Sequence, residues 1–155
     1  MGWRPRKVDI ADAETRGGQS WYFPRPGYCG FRAEERRRRI SVLFGGLEAE
    51  RRVSRTSLFA LLTTGGAVDV ERIRDLLDES YGPWQDAPEP IRGLRDREEE
   101  AARRRARATL ERHWRAVEAL SRALLSQGTL DSRSIFDIAT RSSRRLGDEF
   151  RRARR

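Results

Sequence analysis

The chain has 155 residues, of which 37% are hydrophobic and 37% are charged. This length suits one ordinary domain, and this composition favours a thin core covered by amphipathic helices over a thick sheet core. All but one of the 33 basic residues are arginine, and the single cysteine, Cys29, excludes an internal disulfide. We expect a mostly α (α+β) fold with one domain over residues 1–140 and a basic, disordered tail over residues 141–155.

The net charge of +9 is concentrated at the two ends of the chain. Residues 1–40 hold ten basic and five acidic side chains, and residues 141–155 hold seven and two, so the centre is close to neutral. A nucleic-acid-binding domain is expected to carry its positive field on a folded face. This distribution weakens the hypothesis that the chain binds nucleic acid, and leaves the basic ends, including the basic tail, as its candidate regions.

The apolar stretches of the chain are short. The start, MGWRPRKVDI, has no apolar run of signal-peptide length, and the patches SVLFGGL and SLFALL are too short to cross a bilayer. These observations predict a cytoplasmic protein without a membrane partner.

The first third predicts a small β-hairpin. Lys7–Ile10 and Gln19–Phe23 are short β-compatible runs, separated by a polar turn that contains Gly17 and Gly18. The segment PRPGYCG then interrupts the chain.

A helix is predicted from Phe31 onward. Its apolar stripe consists of Ile40, Leu43, Phe44 and Leu47. Four successive residues point around a helix rather than along one stripe, so the run Arg36–Arg39 predicts a solvated surface, with Glu34–Arg38 and Glu35–Arg39 as i,i+4 pairs. Gly45 and Gly46 interrupt this helix, each at a cost of about 1 kcal/mol relative to alanine, and indicate the close approach of another backbone.

Three further helices are predicted between residues 57 and 127. Ser57–Leu62 forms a short apolar helix, and after the loop TTGGA a second helix covers Val68–Ser80. The apolar face of that second helix consists of Ile73, Leu76 and Leu77. A long helix covers Leu94–Gln127, and its charged first half either projects into solvent or pairs with a neighbouring helix.

The residues that follow the long helix predict where it ends and where the next helix begins. Gly128 suits the position just after the helix, and Asp131 can cap a final helix. The apolar residues of the long helix are Leu110, Trp114, Val117, Leu120, Leu124 and Leu125, and those of the final helix are Ile135, Phe136, Ile138 and Ala139.

Several catalytic classes have no complete motif here. Lys7 is the only lysine and follows Arg6, so a phosphate-binding Walker loop is excluded, and no G-x-S-x-G elbow is present. His113, the only histidine, lies in a charged helix segment and is predicted to be a surface or half-buried residue. A zinc hydrolase needs about three protein ligands and usually a carboxylate base, and no H-E-x-x-H is present.

Three stretches, read in order, resemble the peptidase domain of FtsH-type ATP-dependent zinc metallopeptidases. They are ISVLFGGLEAE (Ile40–Glu50), TTGGAVDVERIRDLL (Thr63–Leu77) and HWRAVEALSRALLSQGTLDSRSI (His113–Ile135). The runs KVDI and GGQSWYF also resemble the hairpin that follows the zinc helix in that family. The resemblance implies a helical metallopeptidase-like fold and gives Asp69 the position of the third zinc ligand. A simpler interpretation is that Asp69 stabilises the start of its helix by capping or through the helix dipole.

Four hypotheses follow. The first is a metallopeptidase-like domain without activity that serves as an interaction or regulatory module, and the second is a fragment of an active peptidase whose zinc helix lies upstream of Met1 or on another chain. Zinc is expected only if that helix is supplied. The third is nucleic-acid binding through the basic ends, and the fourth is a purely helical adaptor. FtsH-type domains form rings, so an oligomer with a protein or polypeptide partner is compatible with the resemblance.

Overall fold

The computed structural model describes residues 5–9, 19–22, 33–55, 57, 60 and 66–143. Within these residues the chain is mostly helical, as predicted. The strands are β1 (Pro5–Asp9), β2 (Gln19–Tyr22) and β3 (Thr129–Asp131). The helices are α1 (Ala33–Ser54), α2 (Ala67–Tyr81), α3 (Glu89–Gln127) and α4 (Ser132–Ser142).

The chain divides into two compact units. The helical unit comprises residues 30–111, with α1, α2 and the first part of α3. The sheet unit comprises residues 1–29 and 112–155, with the three strands, the last part of α3, and α4. The single domain over residues 1–140 stays a prediction.

The core of the helical unit lies between the apolar faces of three helices. Its buried members are Ile40, Phe44, Leu47, Ile73, Leu76, Leu77, Ala102 and Ala106. The predicted stripes of α1 and α2 are therefore confirmed. The first half of α3 contributes only alanines to this core, Ala102 and Ala106, so this half packs against its neighbours and does not project into solvent.

The long helix is interrupted at His113. The backbone there has φ −119° and ψ 18°, outside the helical range, so two helical segments meet at this residue. His113 is 7% exposed, and the prediction of a surface or half-buried histidine was wrong. Leu125, predicted as part of the apolar face, is 77% exposed and lies outside it.

The sheet has the order β2-β1-β3, and both pairings are antiparallel. In its centre Val8 lies opposite Ser20 on one side and Leu130 on the other. The third strand was not predicted. A run of three residues that follows a helix-ending glycine and ends with the capping aspartate carries no strand periodicity of its own.

The turn from α3 through β3 into α4 follows the predicted cues. Gly128 has φ +73°, and its N–H donates to the Leu124 carbonyl at 2.8 Å. The Asp131 carboxylate accepts a hydrogen bond of 2.7 Å from the Ser134 N–H, which caps α4 as predicted and lowers the pKa of Asp131.

Other predicted segments lie outside the described residues. These are the hairpin turn, the segment PRPGYCG, most of the helix over Ser57–Leu62, and the loop before Gly66. The described part of that short helix includes a hydrogen bond of 3.2 Å from the Ala60 N–H to the Ser57 hydroxyl. α4 includes Arg141 and Ser142, the first two residues of the predicted tail, and residues 144–155 are not described.

Candidate functional site

Asp69 lies in the first turn of α2, three positions after Gly66. Its side chain is 32% exposed, and its carboxylate lies 3.8 Å from the Arg72 guanidinium. Among the described residues it accepts no hydrogen bond that would cap the helix, although its place in the first turn agrees with a helix-dipole role. Burial raises the pKa of Asp69, and the charge of Arg72 partly opposes this rise.

The Asp69 carboxylate faces the glycine pair of α1. A Cβ added at Gly46 would lie 3.3 Å from Asp69 Oδ2, whereas a Cβ at Gly45 would meet nothing within 4 Å. α1 continues through both glycines, so the predicted interruption was wrong. The predicted close approach is made by a carboxylate rather than by another backbone. The two residues of this contact lie in Ile40–Glu50 and Thr63–Leu77, two of the three stretches that resemble the metallopeptidase family.

Glu98 on α3 is the centre of a second group of charged residues. Its side chain is 5% exposed and accepts hydrogen bonds from the Arg36 Nε at 3.0 Å, the Arg37 Nε at 3.4 Å and the Tyr81 hydroxyl at 2.7 Å. Although burial alone would raise the pKa of Glu98, these donors lower it. The Arg36 guanidinium also lies over the Tyr81 ring, 5.7 Å from its centre.

This group corrects the prediction for the arginine run. The Arg36 side chain is only 12% exposed, so it is not part of a solvated surface, while the Arg37 side chain is 53% exposed. The predicted pair of Glu34 with Arg38 is confirmed.

Glu48 on α1 is held in a similar way. Its side chain is 5% exposed and lies 2.7 Å from the Arg103 Nε and 3.0 Å from the Arg107 Nε, both on α3, with Arg51 at 3.7 Å. Burial opposes ionisation, yet the two α3 arginines lower the pKa of Glu48. Glu48 and Glu98 therefore connect α1 to α3 as charged groups.

Sequence reasoning missed both carboxylates. Each is separated from its partners on the other helix by more than fifty residues. An i,i+4 rule covers one helix only, so it could not assign these pairs. The one available signal was a glutamate at an apolar-stripe position, since Glu48 lies four residues after the buried Phe44.

A zinc site needs ligands that converge on one point. Among the described residues, no group of three or more His, Cys, Asp or Glu side chains is placed to hold a metal ion. The described residues by themselves do not fit the zinc site that the resemblance implies, and Asp69 is the one predicted ligand on this chain.

No helix in the described ranges is both long enough and apolar enough to cross a membrane. No protein-family model matches the chain, and no curated protein matches it.

Proposed function

We propose that this chain is an FtsH-like, zinc-metallopeptidase-type domain that, with the residues it contains, acts as a non-catalytic interaction or regulatory module. The observation that supports this proposal is the contact of Asp69 with Gly46. This contact joins two of the three stretches that resemble the metallopeptidase family, at their segments GGLEAE and GGAVDVER. The partner is a protein or polypeptide, and the family's ring assembly makes an oligomer part of the proposal.

The non-catalytic part follows from the ligand requirement. A catalytic zinc ion needs three protein ligands and an open position for water. The sequence has one histidine and no H-E-x-x-H, so neither the two histidine ligands nor the glutamate base is present in it.

A zinc-binding experiment tests the domain type. A synthetic helical peptide with an H-E-x-x-H motif is titrated with zinc alone and in the presence of the full chain. We expect the chain to increase the zinc affinity of the peptide, because Asp69 supplies a third ligand. Asp69→Asn should remove this gain, whereas Asp75→Asn, an exposed control on the same helix, should retain it. An equal affinity with and without the chain would contradict the domain type.

A protease assay tests the lack of activity. The full chain is incubated with an unfolded protein substrate and zinc, with and without a chelator. We expect no cleavage above the chelated control. Cleavage that is lost both with the chelator and in Asp69→Asn would overturn the non-catalytic assignment.

The second candidate is a fragment of an active metalloendopeptidase whose zinc helix lies outside this sequence. It is favoured by the weak engagement of Asp69, whose carboxylate accepts no hydrogen bond from the described residues and has only the 3.8 Å contact with Arg72. The DNA upstream of the Met1 codon tests this candidate. An in-frame H-E-x-x-H is expected if it is correct, and a stop codon without that motif would contradict it.

A further inference from the structure

The outer face of α1 carries a stripe of apolar and small residues. Val42 is 55% exposed and Val53 is 73% exposed. Gly46 and Ala49 lie between them at helical spacing, so the four residues share one face of the helix. Gly46 is exposed and Ala49 is partly exposed. We call these four residues the valine face; it lies opposite the apolar stripe that α1 buries in the core.

The first turn of α2 borders the valine face. The Asp69 carboxylate lies beside Gly46, and Val68, its neighbour in the chain, is 52% exposed. In the described part of the helical unit, five large apolar side chains are exposed. Three of them are the valines of this region, and the other two are Trp84 and Leu94. Exposed apolar residues that stand singly need no explanation, but a group of them marks an interaction surface.

The centre of the valine face has no long side chains. A Cβ at Gly45 would meet nothing within 4 Å, so no contact among the described residues requires a glycine there. Each glycine in a helix interior nevertheless costs about 1 kcal/mol relative to alanine. Gly45, Gly46 and Ala49 leave a shallow groove along α1, into which a row of side chains from a second helix can pack. The shape of this face therefore suits a helix.

The charge beside this groove is negative. Asp69 is one-third exposed, and its carboxylate lies 3.8 Å from the Arg72 guanidinium. α2 has five acidic and two basic residues, whereas the stretch of α1 from Val42 to Val53 has two of each. A helix packed on the valine face would remove more water from Asp69. Its carboxylate would then need a cation from that helix, because a charge that loses water without gaining a partner is costly.

We propose that the valine face binds an amphipathic helix of a partner protein, whose apolar stripe is accompanied by a Lys or Arg opposite Asp69. This inference rests on the proposed interaction function and names the kind of partner that its Asp69 site takes. An extended peptide would need an open sheet edge for its main-chain hydrogen bonds, and the helices α1 and α2 offer none. An acidic helix would meet the like charge of α2.

A displayed library of single helices tests this proposal when it is selected against the full chain. Its members have about 20 residues, long enough to be helical in isolation. The selected sequences should share apolar residues at helical spacing and one basic residue at a fixed place in that pattern. Selection against Asp69→Asn should retain the apolar pattern and lose the preference for the basic residue.

Fluorescence anisotropy of one selected, labelled peptide measures each contribution. Val42→Gln/Val53→Gln should weaken binding about tenfold, because two apolar side chains no longer contact the peptide. The matched control, Leu94→Gln/Leu125→Gln, changes two exposed residues elsewhere and should leave the affinity unchanged. Asp69→Asn should weaken binding about fivefold, and should have no effect on a peptide whose basic residue is replaced by Gln. Circular dichroism checks that each variant retains the fold.

Three results would overturn the proposal. The first is selection of acidic helices or of sequences without helical periodicity, and the second is an equal loss in the two double variants. The third is a dimer of the chain, detected by sedimentation, that dissociates in Val42→Gln/Val53→Gln, which would assign the valine face to a second copy.

The zinc titration separates this inference from the function on which it rests. Selected helices of the expected pattern, found without any gain in zinc affinity, would support the valine face and remove the metallopeptidase-type assignment. A gain in zinc affinity without any selected helix would retain that assignment and overturn the docking of a helix on the valine face.

Discussion

The helical unit contains two kinds of acidic site, which differ in burial and in the number of cationic partners. Glu48 and Glu98 are nearly inaccessible to water, each is held by at least two cationic side chains, and the pKa of each is lowered. Asp69 is one-third exposed and lies 3.8 Å from a single arginine, and its pKa is raised. The ionised carboxylate is therefore stabilised at Glu48 and Glu98 and destabilised at Asp69.

This difference separates structural from candidate functional carboxylates. Removing a carboxylate that satisfies several buried donors leaves those donors without partners, which is costly. A partly buried carboxylate with few donors contributes little to stability and can bind a cation when one is supplied. Glu48 and Glu98 therefore belong to the scaffold, whereas Asp69 is the residue to test for function.

The largest expected effect is that of Glu98→Ala. It leaves Arg36 and the Tyr81 hydroxyl without their acceptor at a site that is 5% exposed, so the free energy of unfolding should fall by about 3 kcal/mol. Urea denaturation measures this loss. Glu100→Ala, an exposed position on the same helix, should change stability by less than about 0.5 kcal/mol. If the two variants were equally stable, Glu98 would not be a structural carboxylate.

Glu48→Ala should have a smaller effect, a loss of about 2 kcal/mol in the same measurement. Its partners Arg103 and Arg107 are 24% and 37% exposed, so both can turn toward water when the carboxylate is removed. The exposed Glu50 on the same helix provides the control, and Glu50→Ala should be nearly neutral. A loss larger than that of Glu98→Ala would reverse this order.

The glycine pair tests the contact of Asp69 with α1. Gly45→Ala should stabilise the chain by up to about 1 kcal/mol, because alanine favours a helix and the new Cβ meets nothing within 4 Å. Gly46→Ala should gain less, since its Cβ would lie 3.3 Å from Asp69 Oδ2 and the carboxylate must move. In an Asp69→Ala background the two substitutions should give equal gains. Equal gains in the unmodified chain would argue against a tight contact.

The smallest effect is expected for Asp69→Asn at neutral pH, a change within about 0.5 kcal/mol. Its sign depends on pH. Because the pKa of Asp69 is raised in the folded state, ionisation costs stability as the pH rises above about 4, so the variant should be relatively most stable near pH 7 and lose this advantage in acid.

Glu48 and Glu98 should show the opposite pH dependence. Their lowered pKa values mean that their contribution is present above about pH 4.5 and is lost as the pH falls through the folded-state values. Unfolding curves at several pH values measure both trends. A variant Asp69→Asn whose advantage increased in acid would contradict the raised pKa of Asp69.

Helical periodicity predicted most of the helical unit. Ile40, Phe44 and Leu47 on α1, and Ile73 and Leu77 on α2, are buried as expected, because an apolar stripe at helical spacing has to be covered by something. The bounds of α2 were correct to within one residue at each end. Asp69 was singled out from the resemblance, and its role there stays a prediction.

Most of the missed features depend on contacts between residues distant in sequence. The glycine pair indicated a close approach but could not show that the approaching group is the Asp69 carboxylate. β3 has three residues, and only its pairing with β1 makes it a strand. The kink at His113 was also missed, because no proline or glycine marks it.

The sequence by itself determined that this protein is mostly helical, where α2 lies and which faces of α1 and α2 are apolar, and that it has no complete zinc-ligand motif of its own. These properties depend on residue type and local spacing. Tertiary structure alone decided which arginines hold Glu48 and Glu98, that Asp69 faces Gly46, and that β1 pairs with β3. Each of these is a contact between distant segments, and its energy comes from burial and charge pairing that exist only once the chain has folded.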